Sequence, residues 1–392
     1  MIGARDYQYV VAGSGFFGAV MAERIATVLD KPVLILEKRS HFGGNSFSER
    51  DPATGIEYHR YGTHLFHTSQ ADVWAWINRF TAFNNYRHRV LTRHAGRMYT
   101  MPINLMTLNN FFGVDLKPSE AEAFIAARAT ADGKPNPQNF EEKAISLVGR
   151  ELYEAFIRTY TAKQWETDPK LLPAATISRL PVRFNYNDFY FNDIYEGLPV
   201  DGYHAIFERI FADPRIKVVC DCDFFDVRPE ISPDATIIYT GPIDRYFDYC
   251  LGSLGWRTLD FEIERPAVED YQGASVVNYP DADVRFTRIH EFKHLHPERR
   301  HNAGHTLIMR EYSRFAARDD EPYYPINTPA DRSLFDSYAA LAAREKRVIF
   351  GGRLGTYRYL DMHQAIGAAL KSFENHVLPM VKTGAAMANA AA

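Results

Sequence analysis

The chain has 392 residues, more than one hydrophobic core ordinarily holds, so we expect two or three domains. Its hydrophobic share of 46% and charged share of 24% are typical of a soluble globular protein. A net charge of −4 argues against a broad nucleic-acid-binding surface, so we expect no nucleic acid as a partner. The high aromatic share, 14%, favours large cores or a pocket for flat ligands.

The chain has three cysteines, Cys220, Cys222 and Cys250. Their odd number and the lack of a CxxC pair argue against a disulfide framework and a zinc site. The amino terminus lacks the apolar core of a signal peptide, and no apolar run has the length of a membrane span. We therefore expect a cytoplasmic protein that does not insert into a membrane.

The amino-terminal segment has the pattern of a β-α-β unit. Tyr7–Ala12 is apolar enough for a buried strand, a glycine turn follows it, and Val33–Leu36 is a second strand. Between them a helix to about Leu29 is predicted, because apolar residues recur there at helical spacing. The two strands are expected to be parallel and joined by a right-handed crossover.

The rest of the chain divides into segments of different character. In chain order, we predict helices over 70–165 including one at Arg150–Trp165, an aromatic and polar loop at 179–195, strands at Lys217–Asp226 and Thr236–Thr240, strand-like alternation over 260–312 that includes Ala274–Tyr279 and Thr306–Arg310, a strand at Arg347–Phe350, and a helix from near Asp361. The strands at 217–226 and 236–240 are expected to return to the first sheet. The Ala-rich tail is expected to be disordered.

The glycine turn carries the spacing G-x-G-x-x-G at Gly13, Gly15 and Gly18. The spacing alone is weak, but here it follows a strand, opens a helix and precedes Glu37 at the end of the next strand. In such units the first glycine permits the turn, the second admits a pyrophosphate, the third allows close packing, and the acidic residue accepts from a ribose hydroxyl. Phosphate is then bound at the helix N-terminus. The alternative is a glycine turn that binds no nucleotide.

Two further segments favour FAD over NAD. Gly43-Gly44-Asn45 is a second glycine pair just past the acidic residue, which is typical of FAD-dependent folds. Near the other end of the chain, Gly351-Gly352-Arg353 follows a strand, and Asp361-Met362 begin a helix whose N-terminus can stabilise negative charge on a reduced flavin. The alternative for this second segment is an ordinary strand–turn–helix.

An aromatic and cationic constellation follows in the middle of the chain. It comprises Lys163-Gln164-Trp165, the run Arg179–Phe184 with Arg183, and Tyr190. Aromatic rings stack on a base, and guanidinium groups suit phosphate oxygens, so the set suits a nucleotide diphosphate. The alternative, an aromatic core patch with solvated arginines, stays open.

Histidines give weaker signals. The run His290, His294, His296, His301 and His305 matches no metal-ligand spacing, and we expect no metal. The segment 58–64 could place a histidine beside the cofactor, but a hydrogen-bonded structural histidine is an equal alternative. No G-x-S-x-G elbow or Cys/His pair is present, so covalent chemistry would fall to the cofactor.

Taken together, these motifs resemble the UDP-galactopyranose mutase family of the bacterial type, over about residues 6–380. The resemblance rests on the following motifs: GSGFFG at 13–18, Gly43-Gly44-Asn45, YGTHLFHT at 61–68, Lys163-Gln164-Trp165, Arg179–Arg183 before an aromatic loop, and GGRLGTYRYLDM at 351–362. Thr63 departs from the pattern, because many members have a proline there.

The resemblance implies an α/β fold with three parts. They are a discontinuous Rossmann-like FAD domain at 1–75, 205–245 and 340–380, a mainly helical domain at 76–178, and an antiparallel-sheet substrate domain at 179–204 and 246–339, with the tail at 383–392. Substrate is expected in the cleft between them.

The activity implied is interconversion of UDP-galactopyranose and UDP-galactofuranose, with N5 of reduced FAD as nucleophile on the anomeric carbon and no net redox change. We expect cofactor contacts from Gly13, Gly15, Phe17, Gly18, Glu37, Lys38, Gly44, Asn45, Gly352, Arg353, Asp361 and Met362. The resemblance implies catalytic roles for Arg179, Arg288 and His64, and substrate contacts from Tyr160, Trp165, Arg179, Tyr190, Asn278, Arg288, Tyr324 and Tyr359. The sequence leaves open whether Tyr323 replaces Tyr324 and Arg285 replaces Arg288.

Two other functional classes share part of these features. An FAD oxidoreductase of the amine-oxidase-like group would share the first motif, but would oxidise a donor stoichiometrically. A nucleotide-sugar-binding module without catalysis would bind UDP and hold no flavin. We also expect the protein to be a homo-oligomer.

Overall fold

The computed structural model describes residues 2–177, 182–301 and 304–383. Its strands, in chain order, are β1 (Tyr9–Ala12), β2 (Val33–Leu36), β3 (Ser48–Arg50), β4 (Glu57–His59), β5 (Phe66–Thr68), β6 (Val90–His94), β7 (Arg97–Met101), β8 (Tyr195–Gly197), β9 (Ile216–Val219), β10 (Thr236–Tyr239), β11 (Trp256–Glu264), β12 (Val276–Asn278), β13 (Arg288–Glu291), β14 (Ile308–Phe315), β15 (Tyr324–Pro325) and β16 (Val348–Phe350). The predicted tail lies, apart from Thr383, outside the described residues.

The α-helices lie between and after these strands, with α3 to α7 in succession between β7 and β8. They are α1 (Phe16–Leu29), α2 (Ala71–Ile77), α3 (Leu105–Phe112), α4 (Pro118–Asp132), α5 (Phe140–Val148), α6 (Arg150–Leu152), α7 (Thr159–Trp165), α8 (Tyr203–Phe211), α9 (Phe224–Val227), α10 (Ile243–Tyr246), α11 (Pro329–Ala342), α12 (Gly352–Gly355), α13 (Met362–Ser372) and α14 (Leu378–Thr383). A π-helical turn, Tyr153–Arg158, joins α6 to α7, so the predicted helix at 150–165 is present with this irregularity. Among the described helices, none has the length and apolar character that a membrane span requires.

A parallel sheet of five strands carries the amino-terminal unit, in the order β16-β10-β1-β2-β9. Each residue of β1 and β2 is buried, because α1, α8 and α13 pack on one face and further apolar side chains cover the other. The predicted β-α-β unit is therefore confirmed, and β10 and β16 return to it from later in the chain.

The second sheet is mixed and has seven strands, in the order β15-β11-β14-β13-β12-β6-β7. All neighbours in it are antiparallel except β12 and β6, which are parallel. The β6–β7 hairpin lies within the range predicted to be mainly helical. Its turn, Ala95-Gly96, has φ of 49° and 78°, the left-handed values that a two-residue hairpin turn needs.

One predicted strand was too long. Lys217–Asp226 was expected to be a single strand, but β9 ends at Val219 and the second half forms α9. The Asp223 side chain accepts a hydrogen bond from the Phe225 amide at 3.0 Å, which caps this short helix and ends extended structure.

The helices α3 to α7 pack around a separate hydrophobic core. Its buried side chains include Leu108, Ile125, Ile145 and Phe156, and Tyr153 at the π-helical turn. The division into three domains and the boundaries between them stay a prediction.

The α1 core gives a stability prediction. Ile25 is fully buried, whereas Val28 on the same helix is 48% exposed. Ile25→Ala should lower the free energy of unfolding by about 2–5 kcal/mol, because it leaves a cavity between α1 and the sheet. Val28→Ala, the matched control, should change it by about 0.5 kcal/mol or less. Urea denaturation followed by circular dichroism measures both, and equal losses would contradict the packing described.

Candidate functional site

The glycine turn between β1 and α1 has two different constraints. A Cβ on Gly18 would lie 2.1 Å from the Gly13 carbonyl oxygen, so only glycine lets the helix approach the strand this closely. A Cβ on Gly15 would meet nothing nearer than the Gly44 Cα at 3.9 Å. Gly18 therefore serves packing, whereas the space over Gly15 is open for a ligand at the N-terminus of α1.

The carboxylate of Glu37 holds this turn against the end of β2. Its Oε2 accepts hydrogen bonds from the Ser14 amide at 3.0 Å and the Ser14 hydroxyl at 2.6 Å, and its Oε1 accepts from the Arg39 amide at 3.0 Å. Oε1 keeps the capacity to accept a further donor, such as a ribose hydroxyl.

A cavity of about 830 Å³ opens over the turn and extends along the carboxyl ends of the parallel strands. Predicted residues from both ends of the chain line it: Gly13, Gly15, Phe17, Gly18, Glu37, Lys38, Gly44, Asn45, His64, Gly352, Arg353 and Met362. Asp361 directly precedes Met362 as the N-cap of α13, and its amide donates a hydrogen bond to Gln364 Oε1 at 2.8 Å. The structure thus brings the two predicted cofactor segments to one cavity.

Sequence reasoning missed other residues of the cavity. Arg39 donates to Asn45 Oδ1 at 2.8 Å and pairs with Glu321 at 2.9 Å, and Thr240, Phe224 and Arg245 also line the wall. Thr240 could have been found, because it is the last residue of a predicted parallel strand, and ligands bind beyond the carboxyl ends of such strands.

His64 and Arg353 are two of the residues that line the cavity. Burial lowers the pKa of His64 to about 4, so its imidazole is neutral at neutral pH. Its Nδ1 lies 2.7 Å from the Gly62 carbonyl, so Nδ1 carries the proton and Nε2 can only accept. Arg353 donates to the carbonyls of Tyr323 and Leu360 at 3.0 and 2.6 Å.

A second cluster contains Arg288. Its Nη2 donates to the Tyr160 hydroxyl at 2.7 Å, and its Nε lies 3.1 Å from Glu311 Oε1. Burial opposes ionisation of Glu311, but Arg288 and His290 beside it lower its pKa to about 2. Asn278 is paired with Arg288 in the β12–β13 register, and its buried Oδ1 has no hydrogen-bond partner among the residues that the structure describes.

The tyrosines divide according to burial. The Tyr324 and Tyr359 rings stack 5.5 Å apart, with the Arg353 guanidinium 4.9 Å from the Tyr359 centroid. Tyr323 is only 4% exposed and packs towards Phe261. Tyr324 is therefore the more accessible of the two, and the choice between them stays a prediction.

The remaining residues that were predicted to contact substrate differ in their exposure. Trp165 ends α7 and is half-buried against the helical core, while Tyr190 is 44% exposed and near His88. Arg285 is exposed, whereas Arg288 is partly buried. Arg179 lies outside the described residues.

Arg183 was grouped with Arg179 as a phosphate donor, and the structure corrects this interpretation. Arg183 is buried, and its guanidinium donates to Asn192 Oδ1 at 2.8 Å and to the Phe189 carbonyl. These bonds hold the aromatic loop at 187–192 and occupy the donors that a phosphate would need.

The histidine-rich run does not converge on one point. His290 lies 3.2 Å from Glu311 Oε2, His294 contacts Asp270, and His296 contacts Glu298. Each of the three histidines thus contacts a different carboxylate.

The turn, the cavity and the sheet define a Rossmann-type dinucleotide-binding protein. The comparisons agree with this class. Residues 11–80 match the model of the NAD(P)-binding Rossmann-like domain, and residues 155–359 match that of UDP-galactopyranose mutase.

Relatives match along almost the whole chain. A probable UDP-galactopyranose mutase of Klebsiella pneumoniae is 42% identical, over 93% of each chain. A dTDP-fucopyranose mutase of Escherichia coli is 37% identical, over 94% of this chain and 98% of the other. The crystal structure of a reduced UDP-galactopyranose mutase shares the fold with a TM-score of 0.72 at 18% identity, covering 95% and 96% of the two chains.

The chain belongs to the UDP-galactopyranose mutase family, whose members are isomerases. Membership of this flavin-dependent family, with the Rossmann-like domain, implies a flavin cofactor. A putrescine oxidase shares the fold more weakly, with a TM-score of 0.54 at 10% identity.

Two glycine substitutions separate packing from ligand binding. Gly15→Ala should leave the fold intact but weaken dinucleotide binding about ten- to a hundredfold, because the added methyl group occupies ligand space. Gly18→Ala should instead lower the thermal midpoint of unfolding, because its methyl group meets the Gly13 carbonyl. Thermal denaturation and the dinucleotide content of purified protein measure the two effects. Unchanged dinucleotide content in Gly15→Ala would contradict this placement.

Proposed function

We propose that this protein is an FAD-dependent isomerase that interconverts UDP-galactopyranose and UDP-galactofuranose. One observation carries the proposal. Arg288, fixed by Glu311 and Tyr160, is near the Tyr324 and Tyr359 pair, which contacts Arg353 at one end of the dinucleotide cavity. A guanidinium and stacked phenols beside a cofactor cavity suit the diphosphate of a nucleotide sugar.

FAD is the dinucleotide that we propose for the cavity. The second glycine pair supports this choice, because Gly44 approaches Gly15 so closely that a Cβ on Gly44 would lie 3.1 Å from the Gly15 Cα. Gly352 and Met362 line the same cavity from the last part of the chain. Bound and reduced, FAD would supply N5 as the nucleophile for the anomeric carbon, without net redox change.

The side chains of this protein bind and orient the nucleotide sugar. Arg288 stabilises the negative charge that develops as UDP leaves, and its pKa is raised above that of a free arginine by Glu311, against burial, so it stays charged. Trp165 and Tyr160 contact the uridine, and Oδ1 of Asn278, which has no partner in the described part of the chain, accepts a hydrogen bond from the ligand. Contacts with the remote nucleotide position the sugar at the cofactor.

The other proposed contacts rest on the family resemblance. Tyr190, Tyr324 and Tyr359 line the diphosphate, and Arg179 is a further residue that binds it. Neutral His64 lies near the flavin ring, where Nε2 can accept a hydrogen bond. A homo-oligomer and a cytoplasmic location stay predictions.

The enzymatic assay separates the three functional classes. UDP-galactofuranose is incubated with the purified holoenzyme, with and without dithionite, and the products are separated by chromatography. The expected result is UDP-galactopyranose under reducing conditions only, without consumption of a stoichiometric reductant. Stoichiometric oxidation of a donor would support the oxidoreductase, and UDP binding by a flavin-free protein would support the binding module.

The same assay with a dTDP-linked 6-deoxyhexofuranose as substrate tests the choice of nucleotide sugar. The dTDP-fucopyranose mutase of Escherichia coli is the reason to include it. If this sugar is turned over faster than UDP-galactofuranose, the proposed substrate is wrong, but the assignment as an isomerase stands.

Arg288 and Arg285 form a matched pair for mutation. Arg288→Ala should lower kcat by about a hundred- to a thousandfold, since it removes a cation that acts on the leaving group. Arg285→Ala removes an exposed arginine a few residues away and should retain activity. Steady-state kinetics with UDP-galactofuranose measures both. Similar kcat values for the two variants would contradict the role given to Arg288.

A further inference from the structure

Lys163 lies where α7 meets the loop that joins β12 to β13. Its ammonium donates to four backbone carbonyls of that loop: Tyr279, Asp281 at 3.1 Å, Val284 at 2.9 Å and Phe286 at 3.2 Å. We call these four oxygens the carbonyl cage. An ammonium has only three protons, so the cage uses its full donor capacity.

The cage depends on a positive charge at its centre. Four carbonyl dipoles that point to one place repel one another, and each needs a donor. Burial lowers the pKa of Lys163 to about 8, while the carboxylates of Asp281 and Asp283 oppose that fall. Two further titratable groups are near the cage. His94 contacts Asp281 at 2.5 Å, and Arg93 is close to Tyr279.

The end of α7 is also fixed on its other side. The Ser313 hydroxyl donates to the Gln164 carbonyl at 2.7 Å, and Arg257, which is 1% exposed, donates to Glu166 Oε2 at 3.1 Å. Glu166 Oε2 also accepts from the Phe315 amide at 2.8 Å. The residues on both sides of Trp165 are therefore anchored to the sheet.

The two elements that Lys163 joins carry the proposed nucleotide contacts. Tyr160 and Trp165 lie on α7, and Asn278 and Arg288 stand at the two ends of the loop. Apart from Lys163, the hydrogen bond of Arg288 to Tyr160 joins the same two elements. The distance between the uridine contacts and the diphosphate arginine therefore depends on the cage.

We propose that Lys163 is a positioning residue for the nucleotide diphosphate, which closes the carbonyl cage and thereby sets Trp165 and Tyr160 against Asn278 and Arg288. The inference rests on the proposed function, because it takes these residues as the nucleotide site. A neutral amine would turn a lone pair towards the carbonyls and loosen the cage, so nucleotide affinity decreases as Lys163 loses its proton.

The test measures UDP binding to the holoenzyme by calorimetry, with Lys163→Met, Lys163→Arg and a control. Lys163→Met keeps the length of the side chain but has no donor, and should weaken UDP binding about tenfold or more while flavin content is kept. Lys170→Met, the control, removes a lysine that is 59% exposed and pairs distantly with Glu141. It should bind UDP as the wild type does.

The pH dependence adds a readout that packing alone would not change. Wild-type affinity for UDP should fall between about pH 7 and about pH 9, because Lys163 titrates there. Lys163→Arg should show a flatter profile, because its guanidinium stays charged. This wild-type measurement holds even if Lys163→Met does not fold.

Three outcomes would overturn the inference. Equal UDP affinity in Lys163→Met and Lys170→Met would exclude a positioning role, as would a flat wild-type profile over this pH range. Absence of UDP binding by the wild type would remove the substrate assignment itself, and the inference with it. The first two outcomes leave the proposed function unaffected.

Discussion

The buried carboxylate of Glu37 is the constraint on which the cofactor cavity depends. It takes three hydrogen bonds, two from Ser14 and one from the Arg39 amide, and the Ser14 hydroxyl in turn accepts from the Gly43 amide at 3.1 Å. A buried charge is tolerated only with such donors. The carboxylate therefore fixes the turn after β1, the end of β2 and the second glycine pair in one arrangement.

The proposed substrate site depends on two partly buried cations with different surroundings. Arg288 is neutralised by Glu311, whose other oxygen contacts His290, and His290 Nδ1 lies 2.7 Å from the Thr63 hydroxyl. Thr63 is the position at which the sequence departs from the family pattern, and its hydroxyl contributes a contact that a proline could not make. Lys163 is surrounded mainly by neutral carbonyls, so its charge is less strongly stabilised.

Much of the parallel sheet could be predicted from sequence, because local signals encode it. Continuous apolar runs marked β1 and β2, and the spacing of Gly13, Gly15 and Gly18 with Glu37 marked the turn. The β6–β7 hairpin was missed because Gly96 is a weak turn signal in a polar segment. The end of β9 was missed because the sequence alone does not show that the Asp223 side chain caps a helix.

The site was harder to predict because its contacts join distant parts of the chain. Tyr160 and Arg288 could be named from motifs, but no local pattern indicates that one donates to the other. Glu311 lies in β14, whose sequence shows only the alternation of polar and apolar residues that is common in strands. Only the fold places its carboxylate beside Arg288. For Arg183 the error was to predict a ligand contact that the structure does not support. An arginine beside aromatic residues can donate to the protein's own carbonyls instead of to a ligand.

The strand order has a consequence for how the protein is made. The first strand lies inside the sheet, between β2 and β10, and the last strand, β16, adds only beyond β10. The turn after β16 then meets the first helix so closely that a Cβ on Gly351 would lie 2.1 Å from the Phe17 ring. Domains fold as units while the ribosome extends the chain. Here the amino-terminal unit must wait for β16, so the cofactor cavity is complete only after the ribosome has added residues 348–365.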